Sequence, residues 1–315
     1  MSEDEARIPT PGTSRICVVI PCHDEESTIG RVVSRFLETL PEAEILVVDN
    51  ASGDGTARCA AAAGARVIGE SRVGKGFALA AGFEAARPAD FYVMVDGDDT
   101  YPASQVGELL RAADDGADMV VGTRLNPETR DAFPTGHGFG NRLFVWLARL
   151  LFGIRTHDLF SGYRVLSRRF LETAPLISTG FDIEAELSVQ AQVNGFRVEE
   201  RAIDYRPRPA GSNSKLHTLR DGYRILRGLL TLFRDYRPIA CFGWLAAMLG
   251  LASLASGWAP VDDYIRTGLV HHLPRAVLAA GLFILAALSM SLGILLASIN
   301  RRSTQLAALI RKHSR

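Results

Sequence analysis

The sequence predicts an α/β domain with a mainly parallel sheet covered by helices on both faces, followed by an amphipathic juxtamembrane helix and two transmembrane helices. Three observations carry this prediction. Strand-like and helix-like patterns alternate from residue 15 to 122, two uncharged runs of membrane length follow, and charge is divided between the two regions. The 315 residues hold 35 Lys+Arg and 35 Asp+Glu, a formal charge of zero at pH 7. Up to residue 205, 31 acidic side chains stand against 20 basic ones; from Arg206 onward, 15 basic stand against 4 acidic. At 47% hydrophobic and 22% charged, the chain is globular, with no composition of a disordered or collagen-like polymer. No nucleic acid is expected as a partner.

Element by element, RICVVIP (15–21) is a short apolar strand, followed by a helix over 27–40 that opens at an N-cap candidate. EILVVDN (44–50) is the next strand and 55–63 the next helix. A third strand at 66–68, a helix over 75–86, the strand FYVMVD (91–96), a helix over 102–113 and DMVVG (118–122) complete the pattern. Strands alternating with crossover helices make a parallel sheet, in which ligands bind beyond the carboxyl ends of the strands.

Two later segments, 238–261 and 276–300, contain no charged residue, and each is long enough to cross a hydrocarbon layer of about 30 Å. Arg234 and Arg237 precede the first, and Arg301, Arg302, Arg311, Lys312 and Arg315 follow the second, which predicts both ends on the cytoplasmic side and an outer loop near 260–275. Between Leu219 and Tyr236, Leu219, Tyr223, Leu226, Leu230 and Phe233 recur at helical spacing among Arg220, Arg224, Arg227 and Arg234. This is the pattern of a basic helix lying at the membrane surface, or equally of a domain-packing helix with a solvated basic face. The predicted organisation is a disordered tail (1–13), a cytosolic domain (14–216), the amphipathic helix (217–237), a transmembrane hairpin (238–300) and a basic cytoplasmic tail (301–315). Gly243, Ala247, Gly250, Ala280 and Gly281 offer small surfaces for packing between protomers, so a homo-oligomer is a possible partner state. The first 15 residues lack the basic and apolar regions of a signal peptide. Cys17, Cys22, Cys59 and Cys241 show neither disulfide nor zinc spacing.

The chemistry-bearing residues sit at the strand ends. The first strand ends in Pro21-Cys22-His23-Asp24-Glu25-Glu26, the second in Asp49-Asn50-Ala51-Ser52-Gly53-Asp54, and the fourth in Asp96-Gly97-Asp98-Asp99-Thr100. Carboxylates at i and i+2 leaving a buried strand suit a hard divalent cation shared with phosphate oxygens, or else a simple turn. No EF-hand loop is present, because Gly and Glu are missing from the required places. Gly69 to Gly76 misses the GxxxxGK[ST] phosphate loop at its last position, which argues against a kinase or ATPase. Lys75 in that stretch is one of only three lysines, with Lys215 and Lys312, and its glycine-flanked position suits either a nucleotide phosphate or a plain helix start.

In this order and spacing, VVIPCHDEESTIGRVV, ILVVDNASGDGTA, GKGFALAAGFEAA, MVDGDDTYP and DMVVGTRL resemble the GT-A domain of family 2 glycosyltransferases. With GNRL (140–143), DLFSGYRVLSR (158–168), GFDIEAEL (180–187) and PAGSNSKL (209–216) before two apolar spans, the chain looks like the polyprenyl-phosphate glycosyltransferase branch. That branch includes dolichol-phosphate mannose synthases and undecaprenyl-phosphate sugar transferases. The resemblance implies a GT-A Rossmann-like fold and a nucleotide-sugar donor (UDP- or GDP-linked) contacted by Pro21, Asp24, Glu25, Asp49, Lys75, Asp96, Gly97 and Asp98. It implies Mg²⁺ or Mn²⁺ on Asp96 and Asp98, and a polyprenyl phosphate acceptor held by Arg124, Arg142 and Ser214. Lys215 would neutralise the departing diphosphate. Asp98, Arg124, Arg142 and Lys215 are thus the implied catalytic group, and Glu184 and Glu186 lie on the implied acceptor side. His23 and Asn50 depart from the residues usual in the branch, and Thr100 stands where some relatives place a further metal contact. An inverting transfer at the inner membrane follows. A processive polysaccharide synthase is a weaker reading, since no QxxRW motif is present; a non-catalytic membrane scaffold with a GT-A domain is the other.

Overall fold

The computed structural model describes residues 15–124, 137–176, 178, 180, 183–206 and 218–313. The chain divides at Leu229/Leu230 into two compact units.

The first unit is built on a seven-stranded sheet. Its strands are β1 (Ile16–Cys22), β2 (Glu44–Asp49), β3 (Arg66–Gly69), β4 (Phe91–Met94), β5 (Met119–Thr123), β6 (Arg164–Ser167) and β7 (Val198–Ala202). Their order is β3-β2-β1-β4-β6-β5-β7; β6 alone runs antiparallel to its neighbours β4 and β5. The helices are α1 (Ile29–Thr39), α2 (Thr56–Ala62), α3 (Lys75–Ala85), α4 (Val106–Asp114), α5 (His137–Phe152), α6 (Arg168–Thr173) and α7 (Ile183–Val193). The period-2 alternation of β1 divides its side chains between two cores. Val18, Ile20 and Cys22 pack with α1 and α4, whereas Cys17 and Val19 pack with α3 and α7. Helix α1 buries Ile29, Val32, Val33 and Phe36, one face at i, i+3, i+4, i+7.

The expected elements are present with small shifts. Helix α1 starts at Ile29 because Ser27 and Thr28 belong to a turn, and the helix expected from residue 102 begins with a 3₁₀ turn over Ala103–Gln105. Strands β6 and β7 add the far half of the sheet. Registers on the near half bring the ends of β1 and β2 level, with Pro21 beside Val48 and Cys22 beside Asp49. The loops after β1, β2 and β4 therefore open on one edge.

Helix α8 (Thr218–Tyr236) covers the expected amphipathic segment. The second unit contains α9 (Pro238–Thr267) and α10 (Leu273–His313), both long and apolar enough to cross a membrane. Both helices outrun their uncharged stretches. Helix α9 continues through Asp262 and Arg266, which pair at 2.9 Å across one turn, and stops at Gly268 in the left-handed conformation. The connecting loop is accordingly shorter than expected, and α10 runs on through residues read as a tail. The two helices are tied by Ser253 Oγ donating to Ala279 O (2.8 Å) and Ser289 Oγ to Phe242 O (3.0 Å), and Gly293 lets the Pro238–Phe242 backbone approach. Gly243, Gly250 and Gly281 face open space. Trp244, Leu251, Leu254 and Phe283 on these helices are exposed.

Candidate active site

The site is built where β1, β2 and β4 end. Asp24 takes a left-handed turn (φ 52°) and its Oδ1 accepts from Gly53 N at 2.7 Å, so the first two loops lock together. Glu25 N donates to Thr56 Oγ1 at 2.8 Å, and Asp49 Oδ1 caps the second loop by accepting from Ser52 N at 3.3 Å. Pro21 sits within β1 beside them. Asn50 is fully engaged: its Nδ2 donates to Glu70 O (3.2 Å) and Arg72 O (2.7 Å), and its Oδ1 accepts from Gly74 N (2.7 Å). Its place in the chain therefore holds the loop that delivers Lys75 to the start of α3. His23 Nδ1 lies 2.7 Å from Asn50 O.

Lys75 then reaches inward. Its Nζ lies 2.5 Å from Asp96 Oδ1 and 2.6 Å from Glu184 Oε1, the latter on the buried α7. Burial works against its charge, but the two carboxylates outweigh it, and the Lys75 ammonium is held charged well above the ordinary lysine range. The Glu184 carboxyl is pushed up by burial, with Lys75 pulling against it, and its Oε2 is buried without a hydrogen-bond partner. Gly162 passes so close to Asp96 that a Cβ there would run into the carboxylate. Asp98 is 4% exposed, and its Oδ1 accepts from both the backbone N–H (3.2 Å) and the hydroxyl (2.6 Å) of Thr100. Thr100 thus orients Asp98. Gly97 O accepts from Thr28 Oγ1 at 2.8 Å.

Two carboxylates at this strand end fit a divalent cation that completes its shell elsewhere. Among the described residues no three His, Cys, Asp or Glu side chains gather into a self-sufficient cage. Asp96 and Asp98 would suit Mg²⁺ or Mn²⁺, since such ions take one or two carboxylates and leave the remaining positions to water and phosphate.

Arg124, directly after β5, is gripped by Asp158: Nε to Oδ2 at 2.7 Å and Nη2 to Oδ1 at 2.8 Å, a bidentate pair. Burial favours neither charge, yet each stabilises the other; Arg124 is raised further above its usual range and Asp158 held below the usual carboxylate range. Behind them Arg164 is completely buried, donating to Ser161 O (3.0 Å), Leu159 O (2.8 Å) and Ser188 Oγ (2.9 Å). Burial lowers its pKa. Arg142 is exposed on α5. Ser214 and Lys215 lie outside the described residues.

The structure thus brings Pro21, Asp24, Glu25, Asp49, Lys75, Asp96, Gly97 and Asp98 to one edge. Asp158, Arg164 and the Lys75–Glu184 contact are additions. Asp158 and Arg164 lie in the DLFSGYR segment, but their pairing is non-local and carries no periodic signal. Glu186 accepts from Ser178 N (2.6 Å) and Gln190 Nε2 (3.0 Å), contacts within its own neighbourhood.

The site thus lies on a mixed, mostly parallel α/β sheet with carboxylate-bearing loops gathered at one edge. The family model described as Glycosyl transferase family 2 matches residues 17–174. Glycosyltransferase AglJ of Haloferax volcanii is 31% identical over 279 residues, covering 87% of this chain and 90% of the relative. Polyprenol monophosphomannose synthase of Mycolicibacterium smegmatis is 32% identical over 212 residues, covering 63% and 80%. The fold matches glucosyl-3-phosphoglycerate synthase from Mycobacterium tuberculosis, crystallised with Mn²⁺, UDP and glucosyl-3-phosphoglycerate. That match has a TM-score of 0.57 and 24% identity over 70% of this chain and 80% of the other. The chain belongs to glycosyl transferase family 2 and is a glycosyltransferase.

Proposed function

We propose that the protein moves one sugar from a UDP- or GDP-linked donor to a polyprenyl phosphate at the cytoplasmic face of the inner membrane. The observation that carries this reading is the presence, in one chain, of the Asp96/Asp98 strand end and a hairpin of two membrane-length apolar helices. The likeness to a polyprenol monophosphomannose synthase supports the acceptor class. Arg234, Arg237, Arg301 and Arg302 flank the hairpin on one side and support the cytoplasmic orientation.

In this reading Asp24, Glu25 and Asp49, with Pro21, form the floor for base and ribose. Asp96 and Asp98 hold Mg²⁺ or Mn²⁺, with Gly97 keeping the turn between them; when bound, the ion neutralises charge on the departing diphosphate. Lys75 fixes Asp96 from behind instead of contacting phosphate as a free side chain. Arg124, its fork set by Asp158, and Arg142 receive the acceptor phosphate with Ser214, and Lys215 neutralises the departing diphosphate. A lipid phosphate is anionic at pH 7, so its oxygen attacks the anomeric carbon without a strong base. The bond to the nucleoside diphosphate breaks as the new one forms, with inversion. The protein's task is electrostatic positioning of two anions.

Purified full-length protein incubated with UDP- and GDP-sugars, Mg²⁺ or Mn²⁺ and undecaprenyl or dolichyl phosphate is expected to yield a glycolipid detectable by mass spectrometry. Asp98→Ala should lower the rate by more than about 100-fold. Full activity in that variant, or no glycolipid from any donor, would overturn the reading; nucleotide binding without transfer would favour a scaffold.

A further inference from the structure

The loop bearing the candidate metal carboxylates is gripped by one face of α1. Thr28, Arg31 and Arg35 share that face at i, i+3, i+7 spacing. Thr28 holds Gly97 O, Arg35 Nη1 donates to Asp99 Oδ1, and Arg31 Nε lies 3.5 Å from Asp99 Oδ2. Asp99 is buried and left-handed, with φ 61°. A left-handed turn by itself asks only for glycine or asparagine. A buried aspartate whose two oxygens both meet arginines of a neighbouring helix does more, because it fastens the turn to α1. The residue it fastens directly follows Asp98, and Thr100, on its other side, holds the Asp98 carboxylate. The grip therefore acts on the direction in which Asp98 points.

We propose that Arg35, assisted by Arg31, is a positioning residue for the divalent cation: through Asp99 it holds the turn that presents Asp98 and so raises the affinity of the site for Mg²⁺ or Mn²⁺. This rests on the reading of Asp96 and Asp98 as cation-binding carboxylates. Residues that orient a metal ligand without touching the metal are worth about 10- to 100-fold in affinity when removed, and both arginines here are partly exposed, which places the effect at the lower end.

The test is Mn²⁺ uptake by the full-length protein in detergent, read by electron paramagnetic resonance with UDP or with GDP present. Arg35→Ala and Asp99→Gly should each weaken Mn²⁺ binding by about 10-fold, Asp99→Gly somewhat more because it also loses Arg31, and the double variant should be no worse than Asp99→Gly, which already lacks the Arg35 contact. Asp99→Asn keeps a residue that tolerates the left-handed conformation and an acceptor for Arg35, and should stay within about 3-fold of the wild type. Transfer by Arg35→Ala should recover at saturating Mn²⁺, so that the loss appears in the metal concentration required and not in kcat. Unchanged Mn²⁺ affinity in both single variants, whatever their melting temperatures, or losses that add in the double variant, would overturn the inference alone. Wild-type protein that takes up no Mn²⁺ with either nucleotide would overturn the cation reading, and this inference with it.

Discussion

The two groups of buried charge at the sheet edge are assembled on different arithmetic. Around Arg124, one guanidinium meets one carboxylate, Asp158, in a bidentate pair at 2.7 and 2.8 Å. Around Lys75, one ammonium is shared by Asp96 and Glu184, and Glu184 Oε2 is buried with no hydrogen-bond partner among the described residues. Asp98 follows two residues after Asp96. Buried Arg164 acts on both Glu184 and Asp158, so the contrast lies in how each carboxylate is held: against its burial, the bidentate partner keeps Asp158 below the ordinary aspartate range, whereas burial, with Lys75 pulling against it, raises Glu184. The comparison teaches that one carboxylate is fixed in its charged form by a bidentate partner, while the other belongs to a coupled group that, in the reading proposed above, adjoins the cation at Asp96 and Asp98.

The largest test of this contrast removes the shared cation. Lys75→Met leaves buried Glu184 facing half-buried Asp96 without their shared cation and should cost up to about 3–5 kcal/mol, read by denaturant or thermal unfolding. Glu184→Gln leaves Lys75 and Asp96 paired one to one and should cost only about 1–2 kcal/mol. Equal losses would mean that the ammonium is not shared in the way its distances indicate. A second change keeps every charge and shifts one. Gly162→Ala sets a methyl group against the Asp96 carboxylate, and a displacement near 1 Å at a reacting site is worth about 100-fold in rate. Transfer kinetics should fall by that order while the Arg124–Asp158 pair and the melting temperature change little; undiminished kcat/KM would remove Asp96 from the reaction.

The unequal legibility of these ends in the sequence has a physical origin. Alternating strands and helices, and the convergence of Asp24, Asp49, Asp96 and Asp98 on one edge, follow from local periodicity and from where parallel strands end. Strand β6 has four residues and runs antiparallel between β4 and β5, a placement decided by pairing partners far along the chain. The same holds for Lys75 with Glu184 and Arg124 with Asp158: no spacing rule links residues brought together only by tertiary packing. Arg31 and Arg35 remain partly exposed on α1 while holding Asp99, and no local spacing links them to that distant aspartate. The membrane segments show the converse. The absence of charge marked where α9 and α10 are apolar, but helices end at caps, and α9 runs past Asp262 and Asp263 to Gly268.

The subtlest test uses pH, because the two arrangements give carboxylates that titrate in opposite senses. Asp158, facing Arg124 with Arg164 behind it, is held below the ordinary aspartate value of about 3.9. Near that pH the unfolded chain binds more protons than the native one, so the stability from this pair rises with pH, is present at neutrality, and is lost as pH falls from about 4 toward the folded value. Glu184, facing Lys75, Asp96 and Arg164, is raised by burial above about 4.3. Here the native chain binds more protons, so its favourable contribution is complete below about 4.3 and declines as pH rises through the folded value. Unfolding free energies measured from about pH 3 to about pH 7 should therefore diverge. Asp158→Asn should lose about 1–3 kcal/mol against the wild type at pH 7 and approach it in acid. Glu184→Gln should fall furthest behind in acid and gain on the wild type as pH rises. Parallel profiles for the two variants would show that Asp158 and Glu184 are held in the same electrostatic sense, and would remove the contrast between the Arg124 pair and the Lys75 group.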